Sequence, residues 1–245
     1  QIGDRSVAPT LLRMFQAESQ GWRRSQLVQP IAQLLGEGAA AFLEQAARDD
    51  DQSVRTYALS AARSHLKEAD RLRILVRIIE EEGDDNVRQA AISHLSEAQA
   101  AKAADALARA LQEGGPHSRR AAAHALGGVA NPQAARALIA AFQDEENPDV
   151  REAVIQALGR CGDRRAVPLL TRVLASPDAR TRAAALHALS RMPDALTDDF
   201  LVRFAHREED ENVLRACIGI VSERKIRDAR LLPRLEKLMQ SPDSS

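Results

Sequence analysis

The stretch DVREAVIQALGRCGDRRAVPLL, residues 149–170, decides how this chain folds. A lone cysteine, Cys161, stands between Gly159 and Gly162 and beside Arg160, Arg164 and Arg165. Three readings compete: a reactive-thiol loop, an anion-binding loop, or a bend between two helices. Before the bend, apolar side chains fall at Val150, Ala153, Val154, Ala157 and Leu158. That spacing is one face of a helix with 3.6 residues per turn. After it, AVPLLTRVLA (166–175) reads as a second helix, with Pro168 in its first turn. Gly159 and Gly162 relax the backbone at a helix end. No repeating His or Asp is placed to activate the thiol. The stretch therefore reads as a connection between helices, and Cys161 as a loop or helix-end thiol.

Repetition supports that reading. With Val150 as an anchor, equivalent positions are Trp22, Val54, Val87, Ser118, Thr181 and Val213, at spacings of 32, 33, 31, 32, 31 and 32. Each unit reads as two helices, and the anchor begins the second, helix B. The first, helix A, is seen in RILVRIIEE (73–81), DALARALQ (105–112), AARALIAAF (134–142) and FLVRFAHR (200–207). Turns rich in Asp, Asn, Gly and Pro join A to B. Asp51, Asp84, Asp178 and Asp210, with Asn147 in one unit, sit three residues before the anchor and can cap helix B. Small residues such as Ala90, Ala121 and Ala184 let neighbouring helices approach. Pro30 should kink the first B helix. Trp22 and Tyr57 fall at positions read as core.

Composition agrees. The chain has 245 residues, 44% hydrophobic but only 3% aromatic, so Ala and Leu must supply the core as thin helix layers. A formal net charge of −1 gives no global bias toward nucleic acid or an anionic membrane. Cys161 and Cys217 occupy different points of the repeat, which argues against a framework disulfide and for a reducing cytoplasm. No apolar run is long enough to span a membrane.

HALGGVANPQAARALIAAFQDEENPDVREAVIQALG (124–159) and ALGRCGDRRAVPLLTRVLASPDARTRAAALHAL (157–189) resemble the HEAT-repeat family, and more closely its bacterial phycobilisome-lyase-type HEAT-like repeats. The resemblance covers nearly the whole chain. It implies an all-α fold, a right-handed α-solenoid of stacked antiparallel helix pairs, with 1–245 forming a single HEAT-like array of about seven repeats. A helices would lie on the convex side and B helices on the concave side. It also implies a ladder in which the Asp before each anchor and the Arg after it tie units together, through Arg23, Arg55, Arg88, Arg119, Arg151 and Arg182. Two junctions are expected to be looser, because Gly115 replaces the Asp in one and Leu214 the Arg in another. Both ends look cut or capping: QIGD (1–4) resembles the end of a B helix, and Arg234, Glu236 and Lys237 of the last helix suit a C-terminal cap.

Chemistry-bearing clusters are few. His124 and His187 share a repeat position but lie two units apart, and neither has a ligand partner at metal-binding spacing. The acidic turns RDDD (48–51), EEEGDD (80–85), DEENPD (144–149) and REEDE (207–211) read as solubility and helix N-terminal charge. The B-helix positions expected on the concave face are polar and small, without a catalytic set. The expectation is a non-enzymatic, cytoplasmic scaffold, with no catalytic, metal or cofactor site. It would hold a peptide or helix of a protein partner near Arg120, His124, Glu152, Gln156 and His187, without nucleic acid or membrane insertion. A bilin lyase or lyase-like chromophore chaperone, and a regulatory repeat segment of a larger protein, are the alternatives.

Overall fold

The computed structural model describes residues 5–129, 131–192 and 194–239. Among them every regular element is helical and no strand occurs. The chain divides into two compact units, residues 1–125 and 126–245.

In the first unit the helices are α1 (Ala8–Ala17), α2 (Gly21–Leu35), α3 (Ala40–Ala46), α4 (Gln52–His65), α5 (Glu68–Glu81), α6 (Asp85–Ser93), α7 (Glu97–Lys102), α8 (Ala104–Glu113) and α9 (Pro116–Gly127), the last running into the second unit. The second unit continues with α10 (Pro132–Asp144), α11 (Pro148–Cys161), α12 (Val167–Val173), α13 (Ala179–Ser190), α14 (Asp198–Arg207), α15 (Glu211–Glu223) and α16 (Leu232–Met239). Helices pair within a hairpin, as α3 with α4, α5 with α6, α10 with α11, α12 with α13 and α14 with α15. B helices also stack on B helices, α2 on α4 on α6 and α11 on α13 on α15. This is the all-α solenoid arrangement: each hairpin leaves an apolar side that only the next hairpin can cover. The core is small-chained as composition requires, with Val54, Ala58, Leu59, Ala61 and Ala62 of α4 and Val150, Val154, Ala157 and Leu158 of α11 all buried.

Side-chain caps start the B helices. Asp51, Asp84, Asn147 and Asp210 each accept hydrogen bonds from the second and third backbone N–H groups of the helix, and Asp178 accepts from Thr181 N–H. A cap of this kind contributes about 1 kcal/mol.

The opening stretch resolves as a helix-to-helix bend with one correction. Gly159 is not a helix end, because α11 runs through it to Cys161. Gly159 is buried, and a Cβ there would lie 2.6 Å from Ala188 Cα of α13, so glycine is required for close helix approach. The left-handed cap is Gly162, at φ 69°. Asp163 then accepts from Arg165 N–H to open the next turn, and Pro168 sits in the first turn of α12. α2 runs unbroken from Gly21 to Leu35 with Pro30 inside it. The short α7 was not evident in the pattern; Ser96 caps it in a reciprocal box with Gln99.

Two aromatic side chains read as core are on the surface. Trp22 is 59% exposed and Tyr57 41%. The first B helix begins one residue later than its sequence register suggests. Its cap position is Gln20, so Trp22 falls one place before the true anchor, with its Nε1 donating to Gln20 Oε1 at 3.0 Å. Tyr57 stands three residues after its anchor, where the equivalent Ala153 is buried. The same position is only partly covered at Ala90, Ala121 and Ala216, so it lies at the margin of the buried face and a tyrosyl ring there projects.

The QIGD segment and the Lys237 side chain, read above as a broken B helix and part of a cap, lie outside the described residues.

Candidate functional site

The repeating arginine ties hairpins together at Arg55 and Arg182, where its carboxylate partner is not the capping Asp, whereas Arg88 and Arg151 donate to carbonyls just before their own helices. Arg55 donates to both Glu82 carboxylate oxygens, Nε at 2.6 Å and a terminal nitrogen at 3.1 Å, and also to the carbonyls of Asp49 and Asp50. Arg182 repeats this with Glu208, at 2.9 and 2.6 Å, and with the carbonyls of Ser176 and Pro177. In the first hairpin the role belongs to Arg24, paired with Asp49 at 2.8 and 2.5 Å, and not to Arg23. The one-residue shift that exposes Trp22 explains this, and Arg23 lies over the Trp22 ring instead. In these three clasps the acid, Asp49, Glu82 or Glu208, stands five residues before the following anchor, and the residue three before that anchor is engaged as the cap.

Each clasping acid has a further duty. Glu82, Glu208 and Asp49 accept from the backbone N–H of the cap residue of their own turn, at 2.9, 3.0 and 2.9 Å. Burial opposes ionisation of Glu208, yet hydrogen bonds from Arg182 and from Asp210 N–H hold its carboxyl below the usual range. Asp49 is likewise held down against burial by Arg24 and Asp51 N–H. The acidic turns are thus partly internal, with Glu82, Glu145 and Glu208 buried.

The junction at Gly115 is not left open. Asp85, from the preceding B helix, accepts from the backbone N–H groups of His117 and Ser118, at 2.9 and 3.1 Å, and from the Ser118 hydroxyl. Burial works against it, but these bonds keep the Asp85 carboxyl below its ordinary range. At the other expected weak point Leu214 is simply buried.

Polar groups also line the B-helix faces, and a hollow lies on that face in each unit. In the first unit a hollow of about 550 Å³ is bordered by Gln89, Ser93, His117, Arg120 and His124. In the second, a hollow of about 490 Å³ is bordered by Glu152, Gln156, Arg160, Arg180, His187 and Arg191, over a floor of Ala183, Ala184 and Ala188. The five candidate residues therefore fall into two groups: Arg120 with His124, and Glu152 with Gln156 and His187. Glu152 is held from two sides, by Gln156 Nε2 at 3.1 Å and by an Arg180 terminal nitrogen at 2.8 Å.

Other expected B-face polar positions return to their own backbone. The Thr56 hydroxyl donates to Gln52 O and that of Ser93 to Gln89 O, at 2.9 Å each. Residues missed from sequence are His117, Arg160, Arg180 and Arg191. A signal was present: Arg160 and Arg191 share a position ten residues after their anchors, and His117 and Arg180 one residue before.

Among the described residues no group of three His, Cys, Asp or Glu could hold a metal ion. Burial pushes the Cys217 thiol up to about 12, and burial with Asp163 nearby raises that of Cys161, so both are neutral thiols at physiological pH. No described helix is long and apolar enough to cross a membrane.

Comparison by sequence agrees with stacked helical hairpins. A HEAT-repeat family model matches residues 72–159 and again 136–221, more than half of the chain. The chain belongs to the HEAT-repeat family. No curated protein sequence matches it significantly. Among solved structures, the complex of CpcE and CpcF of phycocyanin lyase from Nostoc sp. PCC7120 is similar at 20% identity and a TM-score of 0.52, over 82% of this chain and 93% of that one. A homology model of the full-length AP-3 complex gives 15% identity and a TM-score of 0.62, over 97% of this chain and 46% of that one. Kap121p bound to Pho4p gives 14% and 0.50, over 96% and 35%. At these identities the three share a fold with the HEAT repeats described here.

Proposed function

We propose that the chain is a protein-binding scaffold, one continuous HEAT-like array whose B-helix face, the expected concave side, receives a peptide or helix of another protein. The observation that carries this is the division of labour among polar groups. The capping and clasping turn residues and the clasp arginines are engaged within the fold, while Arg120, His124, Glu152, Gln156 and His187 border hollows on the B-helix faces. The alanine-lined hollow of the second unit suits an extended segment that reaches close to the helix backbones. Kap121p, of related fold, was solved bound to Pho4p. The two unpaired cysteines suit a reducing cytoplasm.

The test is affinity capture of a partner by the full chain and by a triple variant, Arg120→Glu, Gln156→Ala and His187→Ala. The reading expects the captured protein to be lost from the variant while helical circular dichroism is unchanged. Equal recovery moves the site elsewhere. The likeness to the CpcE and CpcF complex favours a second reading, a bilin lyase or chromophore chaperone. Under it, a linear tetrapyrrole mixed with the protein shows a shifted absorbance band; an unchanged spectrum sets it aside.

A further inference from the structure

The hollow of the second unit is a place of concentrated positive charge in a chain whose formal net charge is −1. It is bordered by three arginines and one glutamate, Arg160, Arg180, Arg191 and Glu152, a net +2 with His187 neutral. Both oxygens of Glu152 are already engaged, by Gln156 and Arg180. Arg191, just past the end of α13, has no acidic partner among the described residues. Arg160, near the end of α11, stands close enough that partial burial and the Arg191 charge together push its guanidinium below the usual arginine value. Both guanidiniums border one hollow, and an anion seated in it would offset their like charge. The floor of Ala183, Ala184 and Ala188 leaves room for an extended chain to descend.

We infer that this hollow binds an acidic protein segment, an Asp- or Glu-bearing peptide whose carboxylate docks between Arg160 and Arg191 with Arg180 and His187 at its rim. Guanidinium groups suit this because they meet carboxylates with paired N–H donors. A nucleic acid fits less well: no aromatic side chain borders the hollow to stack a base. The inference rests on the B-face reading above and names the chemistry of its partner.

The experiment is fluorescence anisotropy with the full chain at low salt, using three labelled probes of equal length: a Glu-rich peptide, a Lys-rich peptide and oligouridylate. The Glu-rich peptide alone is expected to bind, and added salt to weaken it. R160E/R191E should lower its affinity about tenfold or more, while R172E, on α12 outside the hollow, leaves it unchanged. R191Q serves the same purpose should the double variant lose its helical circular dichroism. Failure of the Glu-rich peptide to bind overturns the inference, as do equal binding of the Lys-rich peptide and undiminished affinity in both hollow variants. Preferential oligouridylate binding lost in those variants replaces it with a nucleic-acid site. None of these results touches the wider scaffold reading, which the triple variant tests whatever the charge of its partner.

Discussion

Arg182 and Arg191 flank the same helix, α13, and lead different lives. Arg182, in the first turn, is mostly buried, gripped by Glu208 and two turn carbonyls. Arg191, at the C-terminal end, is exposed and faces another arginine across a hollow. The same side chain is structural where the next turn offers a buried carboxylate, and available to a partner where none is offered. A buried guanidinium without partners would be costly, and Arg151, which has no carboxylate partner among the described residues, lies over the Phe142 ring and donates to two carbonyls instead. At the surface that cost vanishes, and a cluster of like charge is tolerated.

Breaking the clasp should have the largest effect. Arg182→Ala leaves Glu208 buried without its cation, and urea denaturation should show a loss of about 3 kcal/mol. Glu208→Gln keeps shape and burial but weakens two charge-assisted bonds, for a loss of about 2 kcal/mol. The same variant sharpens a pH signature. Glu208 is held below its ordinary 4.5 in the fold, so the unfolded chain binds more protons between the two values. The clasp's stability is fully present above about pH 4.5 and drains away as the pH falls through the folded value. Glu208→Gln should flatten that acid limb. Asp178→Ala, which removes the cap of α13 but spares the clasp, should cost about 1 kcal/mol. At the other end of the helix, Arg191→Ala should change stability by less than about 0.5 kcal/mol. Its effect belongs in binding measurements.

The periodic core was legible because it depends only on where apolar residues recur. Val150 and its partners at three, four, seven and eight residues on are buried as their spacing requires. Caps were legible too, because Asp and Asn act on their own helix within three residues. What escaped was contact between hairpins. Arg55 and Glu82 are 27 residues apart, in successive hairpins, and the acidic turns hold several carboxylates of which geometry selects one. The register slip at Trp22 shows the same limit: one residue moved an aromatic from expected core to solvent and gave the clasp to Arg24. Of the B-face groups, those two and six residues after an anchor could be found from helical position. Arg160 and Arg191 lie at helix ends, where the path of the following bend decides what faces the hollow. Asp85, reaching into the next hairpin to cap α9, had no local signal at all.

Photo-crosslinking from a single position tests most directly whether the B-helix face is where a partner sits. A photoreactive amino acid replacing Gln156, on the B-helix α11, is compared with one replacing Arg203, on the A-helix α14. The account predicts an adduct to the captured partner from position 156 and none from 203. An adduct confined to position 203 would contradict it.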